Sequence, residues 1–183
     1  MASGKLIVIT GPSGVGKGTI VRNLLAKHSE LCLSVSNTTR NPRPGETDGV
    51  DYHFISTTEF EAAISEDEFL EWAEYAGNYY GTPKSAIQTL LDQGKIVLLE
   101  IELIGARAVA QIFSEAKRIF ILPPSLSELA ARLKGRNQDS PEAIAKRLAR
   151  AEAEILAKDE FEFQVTNQDI NKAISEIEQI IFS

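Results

Sequence analysis

Residues 11–17, Gly-Pro-Ser-Gly-Val-Gly-Lys, combine the residue types and the spacing that hold a phosphate chain. Glycines let the backbone curl tightly and put no side chains in the way of phosphate oxygens. The freed N–H groups form an anion-binding nest, and the N-terminus of a following helix adds its partial positive charge. Lys17 supplies a mobile full charge for β- and γ-phosphates. Where the common G-x-x-x-x-G-K pattern continues with a hydroxyl residue, this chain has Gly18, with Thr19 one place later. A protein hydroxyl is then missing from the usual magnesium position. Mg2+ is expected to be carried by ATP oxygens and waters, which suits its reluctance to dehydrate, so no residue is assigned as a metal ligand.

Further charges stand downstream. Arg40 and Arg43 lie in residues 37–46, where two prolines and a glycine exclude regular structure. Guanidinium forks on a stiff loop suit a phosphate or carboxylate, although the same stretch also fits a solvated turn. Between residues 132 and 158 stand Arg132, Lys134, Arg136, Lys146, Arg147, Arg150 and Lys158 against Asp139, Glu142, Glu152 and Glu154. Arg132 and Arg136 are spaced i, i+4 and share one helix face. A basic flap in an acidic chain suits phosphoryl transfer, where charge builds on the transferred group. A salt-bridged solvated face fits the same residues.

The elements around these residues follow from periodicity. Leu6 to Ile9 is a short apolar run of the buried parallel-strand kind, and residues 20–27 carry apolar positions at helical spacing. The phosphate loop therefore sits between a strand and a helix, the context such a motif needs. Strands are expected at 31–36, 49–56, 69–75, 95–101, 118–122 and 161–166. Helices are expected from Ser56 onward, at 84–91, 103–113 and 125–134, from Pro141 to about Lys158, and at 170–181. Strands alternating with helices give a parallel sheet covered on both faces. The fold class is α/β, a three-layer α/β/α P-loop fold. One domain spans 1–183: a core (1–36, 84–124, 159–183), a small β-rich insert (37–83) and a helical lid (125–158).

Composition narrows the function. The 183 residues are 43% hydrophobic and 25% charged, ordinary globular values. A net charge of −7 argues against a nucleic-acid-coating protein. No apolar run approaches the roughly 18 residues of a membrane span, and the start lacks a signal peptide's apolar stretch. The single cysteine, Cys32, has no partner for an internal disulfide and reads as a small buried hydrophobe. A cytoplasmic enzyme is expected.

Four segments carry a closer resemblance. GPSGVGKGT, SNTTRNPRPGETDGVDYHF, EFLEWAEYAGNYYGT and RLKGR…KRLARAEAE resemble guanylate kinase, in the same order, from about residue 5 to the C-terminus. The G-K-G-T variant of the loop is itself familiar from nucleoside monophosphate kinases. The resemblance implies ATP-dependent phosphorylation of GMP, and of dGMP, with 37–83 as the GMP-binding insert. Carried onto this chain, it makes Gly11, Pro12, Ser13, Gly14, Val15, Gly16, Lys17, Gly18 and Thr19 the ATP loop, with Asn167 near the adenine. Arg40, Arg43, Tyr52 and Tyr80 become the GMP phosphate ligands, and Ser36, Glu71 and Thr82 the guanine readers. Lys17, Arg40, Arg132, Arg136 and Arg147 become the catalytic set. Glu100 and Glu102 stand where the family usually has Asp, and Ile104 where it commonly has Gln. Glu100 is kept as a GMP-site residue. His28 and His53 match no catalytic role.

Residue chemistry agrees with that assignment. Guanine presents N1–H and N2–H₂ donors beside the O6 acceptor, so a carboxylate takes both donors and a hydroxyl can serve O6. Adenine presents an acceptor at N1, which would meet Glu71 lone pair against lone pair. The expected partners are GMP and ATP, with no nucleic acid and no membrane, in a monomer or homodimer. Two alternatives stand beside this reading. One is a guanylate-kinase-like module that binds proteins without turnover. The other is a kinase of another phosphorylated small molecule, such as a ribose bisphosphate.

Overall fold

Strand β1 (Lys5–Thr10) is buried on both faces, and its alternating side chains divide the core in two. Ile7 and Ile9 point one way, where helix α1 (Lys17–Lys27) brings Ile20, Val21 and Leu24. Leu6 and Val8 point the other way, towards Ile87, Ala106 and Val109. The structure is a computed structural model that describes residues 4–75, 77–135 and 140–183.

After α1 come β2 (Leu31–Leu33), β3 (Asn37–Thr38), β4 (His53–Phe54), α2 (Thr57–Ser65), β5 (Phe69–Tyr75) and β6 (Asn78–Pro83). Then follow α3 (Lys84–Asp92), β7 (Ile96–Glu100), α4 (Leu103–Ile112), β8 (Lys117–Leu122), α5 (Leu126–Lys134) and α6 (Pro141–Ile155). A 3-10 turn (Lys158–Glu160), β9 (Phe163–Thr166) and α7 (Ile170–Phe182) complete the chain. Five strands form a parallel sheet in the order β2-β7-β1-β8-β9. Helices α1 and α7 cover one face through Leu24, Ala173, Ile174, Ile177 and Ile181; α3 and α4 cover the other. Each of the buried leucine and isoleucine side chains contributes about 1.5–3 kcal/mol relative to exposure. This is the expected α/β/α layering. No helix among the described residues is long and apolar enough to cross a membrane.

A second sheet, β4-β3-β6-β5, stands beside the first. Helix α2 seals it with Phe60, stacked on Phe69 at 4.4 Å and on Tyr79 at 5.2 Å. Its start has a full capping box: Ser56 Oγ accepts from Glu59 N–H, and the Glu59 carboxylate accepts from Ser56 N–H. Helices α5 and α6 pair over Leu129, Leu133, Ile144, Leu148 and Ala151. Ser140 caps α6, with Pro141 in its first turn.

The structure adds two strands that were not expected, β3 and β6, and moves three boundaries by about a turn or more. The strand expected at 31–36 ends at Leu33 in the parallel sheet, and β3 (Asn37–Thr38) opens the second one only after it. The strand expected at 49–56 shrinks to His53–Phe54, because Thr47 N–H donates to the Asp51 carboxylate and Gly49 N–H to Tyr52 O, closing a local turn. The helix expected to reach Lys158 ends at Ile155, before the 3-10 turn.

Candidate active site

Lys17 opens α1, and its ammonium turns back into the loop that precedes it. Nζ donates to Gly11 O at 2.5 Å and to Pro12 O at 3.3 Å, and the residue is 9% exposed. The first helical bond runs from Ile20 N–H to Gly16 O, so the earlier N–H groups have no partner within the helix. The first turn of α1 carries no acidic residue to offset the positive end of its dipole. Gly16 sits at φ 105°, where a side chain is strained, and a Cβ there would lie 2.6 Å from the Asn167 amide nitrogen. That amide donates to Val15 O at 2.8 Å, so buried Asn167 holds the loop from the end of β9.

The paired helices reach the same loop. Arg132 Nη2 donates to Asn167 O at 3.0 Å and Nη1 to Val15 O at 3.4 Å. Arg147 Nη2 donates to Ser13 Oγ at 2.7 Å. Glu128, three residues after the Ser125 cap, directs its carboxylate towards Arg132 Nε at 3.4 Å. Two of the three arginines expected over the phosphates thus already touch the loop that would hold them. The third, Arg136, lies outside the described residues.

The second sheet supplies a different chemistry. In the β5–β6 hairpin Glu71 pairs directly with Thr82. Thr82 Oγ1 donates to Glu71 Oε1 at 2.5 Å, and Ser36 Oγ lies 3.4 Å from Thr82 Oγ1. Burial raises the Glu71 carboxyl pKa above its ordinary value, and the Thr82 hydrogen bonds oppose that rise. A buried carboxylate bonded to one hydroxyl, with a second hydroxyl beside that one, can accept from a group with adjacent N–H donors.

A cationic, aromatic group lies near it. Arg40 Nη2 donates to the Glu46 carboxylate at 2.9 Å, and its guanidinium stands 5.5 Å from the Tyr52 ring and 5.8 Å from the Phe54 ring. The pair holds Glu46 below the usual carboxylate range and raises Arg40 further. Tyr52 and Tyr80 meet edge-on at 5.9 Å. The Tyr52 phenol is pushed up to about 12, first by burial and then by the negative charge of Glu100. Arg43 is exposed, and its backbone N–H donates to Glu46 at 2.7 Å.

Glu100 lies at the end of β7, opposite Ile9 of β1. Solvent reaches it, yet the surrounding protein raises its carboxyl, while Lys17 and Arg22 pull it down. Its charge therefore acts on both the loop lysine and Tyr52. A Cβ on Gly18 would lie 3.5 Å from Glu100 Oε1, so a carboxylate oxygen sits beside the place the missing hydroxyl residue would fill. Among the described residues no group of three or more His, Cys, Asp and Glu could hold a metal ion. A single carboxylate beside Gly18 suits an ion that keeps waters and phosphate oxygens as its other ligands.

Three participants were not legible beforehand. Glu46 pairs with Arg40 from six residues along an irregular loop. Arg22 faces Glu100 from the second turn of α1. Arg150 of α6 stacks on Tyr75 of β5 at 4.2 Å, pairs with Glu154 at 2.8 Å and reaches Glu102 at 4.0 Å. It joins the helical pair to both the hairpin and the start of α4. Only the excess of basic residues in 132–158 hinted at it.

Comparison with known proteins adds an independent finding. The guanylate kinase family model matches residues 3–183. The guanylate kinase of Thermosynechococcus vestitus is 59% identical over 180 residues, covering 98% of this chain and 94% of that protein. That of Trichormus variabilis is 58% identical over 181 residues, covering 99% and 91%. The crystal structure of guanylate kinase from Anaplasma phagocytophilum matches with a TM-score of 0.82 at 32% identity, over 99% of this chain and 86% of that one.

Proposed function

The chain belongs to the guanylate kinase family, and on that footing we propose how its residues carry the transfer of a phosphoryl group from ATP to GMP. An oxygen of the GMP phosphate attacks the γ-phosphorus, the bond to the β,γ-bridging oxygen breaks, and ADP leaves with that electron pair. Both reactants are anions, so the protein's work is alignment, charge neutralisation and exclusion of water.

Residues 11–19 hold the ATP phosphates, with Lys17 on the β- and γ-groups. Asn167 supports the loop through Val15 O and lies towards the adenine. Glu100, the nearest carboxylate to Gly18, would face the hydrated Mg2+ that ATP carries, and that ion would supply charge neutralisation on the phosphates. Arg40, Arg43, Tyr52 and Tyr80 receive the GMP phosphate, while Ser36, Glu71 and Thr82 read the guanine. These contacts fall on base and phosphate, so dGMP is an acceptor too. Arg132, Arg136 and Arg147 close over the transferring group, making 125–158 the lid and 37–83 the acceptor insert on a core of 1–36, 84–124 and 159–183. Closure also limits ATP hydrolysis by water. An acidic protein working on ATP and GMP with a lone cysteine belongs in the cytoplasm.

The observation that carries this reading is the buried Glu71 carboxylate held by Thr82. A sugar-phosphate acceptor has no guanine and would leave that pair without a purpose. The binding-module alternative would not need Lys17 held in an intact loop. From the phosphate end, Arg40→Ala is expected to raise KM for GMP roughly ten- to a hundredfold and lower kcat, leaving KM for ATP unchanged. Steady-state kinetics with each nucleotide varied in turn checks this, and an unchanged KM for GMP would remove Arg40 from the site.

A further inference from the structure

Glu71 is held at one oxygen by a hydroxyl, and its other oxygen rests on a neighbouring helix. Thr82 takes Oε1. Oε2 lies against Gly105, the third residue of α4, on the side of that helix that meets β5. A Cβ at position 105 would overlap Oε2 and stand 2.8 Å from Cδ and 3.4 Å from Cγ of Glu71. All three of its nearest neighbours would be atoms of this one side chain.

The helix itself gives no reason for a glycine there. Position 105 is ordinary α-helical backbone, flanked by the apolar turns that pack α4 on the core. Glycine is among the poorest helix formers, and alanine would suit the helix better. Its place in the first turn has a second consequence. The first helical bond runs from Ala106 N–H to Glu102 O, and the turn contains no acidic residue of its own. The Glu71 carboxylate therefore lies at the positive end of α4, which favours its ionised form.

We propose that Gly105 is a positioning residue for base selection: by lacking a side chain it sets where the Glu71 carboxylate sits, and so sets how well guanine is distinguished from adenine. This rests on Glu71 reading the base. A methyl group at 105 turns the carboxylate away from the line between Thr82 and the base, and both guanine donors lose alignment. The three atoms nearest a Cβ at 105 all belong to Glu71 and none to the ATP loop, so the effect falls on the acceptor.

The test is a double-mutant cycle of Gly105→Ala and Glu71→Ala. It is read as kcat/KM for GMP and for AMP, KM for ATP, and Tm. Gly105→Ala is expected to lower kcat/KM for GMP about tenfold or more, chiefly through KM for GMP, and to narrow the GMP:AMP ratio with KM for ATP unchanged. In the Glu71→Ala background no carboxylate remains to be displaced, and the same substitution is expected to leave activity unchanged and Tm unchanged or slightly raised, since alanine suits the helix better. An unaltered GMP:AMP ratio in Gly105→Ala overturns the proposal. So does a loss, in rate or in Tm, that persists in the Glu71→Ala background, because that is the signature of a helix-packing role. If Glu71→Ala itself leaves the ratio unaltered, the base-reading role falls and this proposal falls with it. If Glu71→Ala collapses the ratio and Gly105→Ala does not, only the present proposal falls.

Discussion

Lys17→Met is expected to cut kcat by about 10²–10³-fold, the loss typical of removing one preorganised charge from a developing anion. Methionine keeps much of the length and the apolar stem while removing the ammonium. The ammonium donates to Gly11 O and Pro12 O, but the loop keeps other ties without it. Asn167 donates to Val15 O, Val15 N–H donates to Pro12 O, and Arg147 and Arg132 hold the loop from the paired helices. Tm should therefore change little, and the loss should fall on the chemical step more than on ATP binding, since charge on the transferring group is largest in the transition state. Single-turnover rates beside a thermal melt make the comparison. An unchanged kcat in folded protein would take Lys17 out of the mechanism.

Glu71→Gln is expected to narrow the preference for GMP over AMP by roughly a hundredfold or more. The substitution preserves shape, and Thr82 can still donate to the remaining carbonyl. What changes is the sign of one hydrogen-bonding edge. An amide NH₂ meets the guanine N1–H and N2–H₂ as donor against donor, yet it can donate to adenine N1. GMP loses while AMP gains, so the ratio moves from both sides. Acid should mimic the substitution in the native protein. Burial raises the Glu71 carboxyl, so protonation sets in at a higher pH than for an exposed glutamate. The GMP preference is expected to fall as pH drops through that raised value, and to stay flat in Glu71→Gln. Kinetics with GMP and AMP across pH checks this, and a ratio indifferent to both pH and substitution would remove Glu71 as the reader.

The parts of the fold that were legible are those where local chemistry and tertiary role ask for the same residues. β1 must be apolar on both faces to sit mid-sheet, and the loop after it must be glycine-rich to bend around phosphates. Those two demands meet in residues 6–17. Ser56 with Glu59 announced the start of α2 because capping is decided within one turn. The strand at 31–36 was misjudged for the opposite reason. Its apolar–polar alternation runs on through Leu33, Ser34, Val35 and Ser36, past Leu33, where the chain leaves the parallel sheet. The end of α6 carries neither glycine nor proline, and the helix stops where Ala157 and Phe161 turn inward to be buried.

At the site, side chains fixed by a motif could be named in advance, while their supports could not. Glu71 and Thr82 are eleven residues apart, and only the hairpin register brings them face to face. The partnerships of Arg40 with Glu46, Arg150 with Tyr75 and Glu71 with Gly105 have no periodic spacing behind them. Each depends on how two elements are laid against one another.

The most direct test of the account is ADP release with ATP and Mg2+, offering GMP, dGMP, AMP, CMP and UMP one at a time. Turnover confined to GMP and dGMP is the predicted result, because it requires the phosphate loop and the base-reading pair to work in the same molecule. Turnover of AMP at a rate close to that of GMP, or release with no acceptor at all from folded protein, would contradict it.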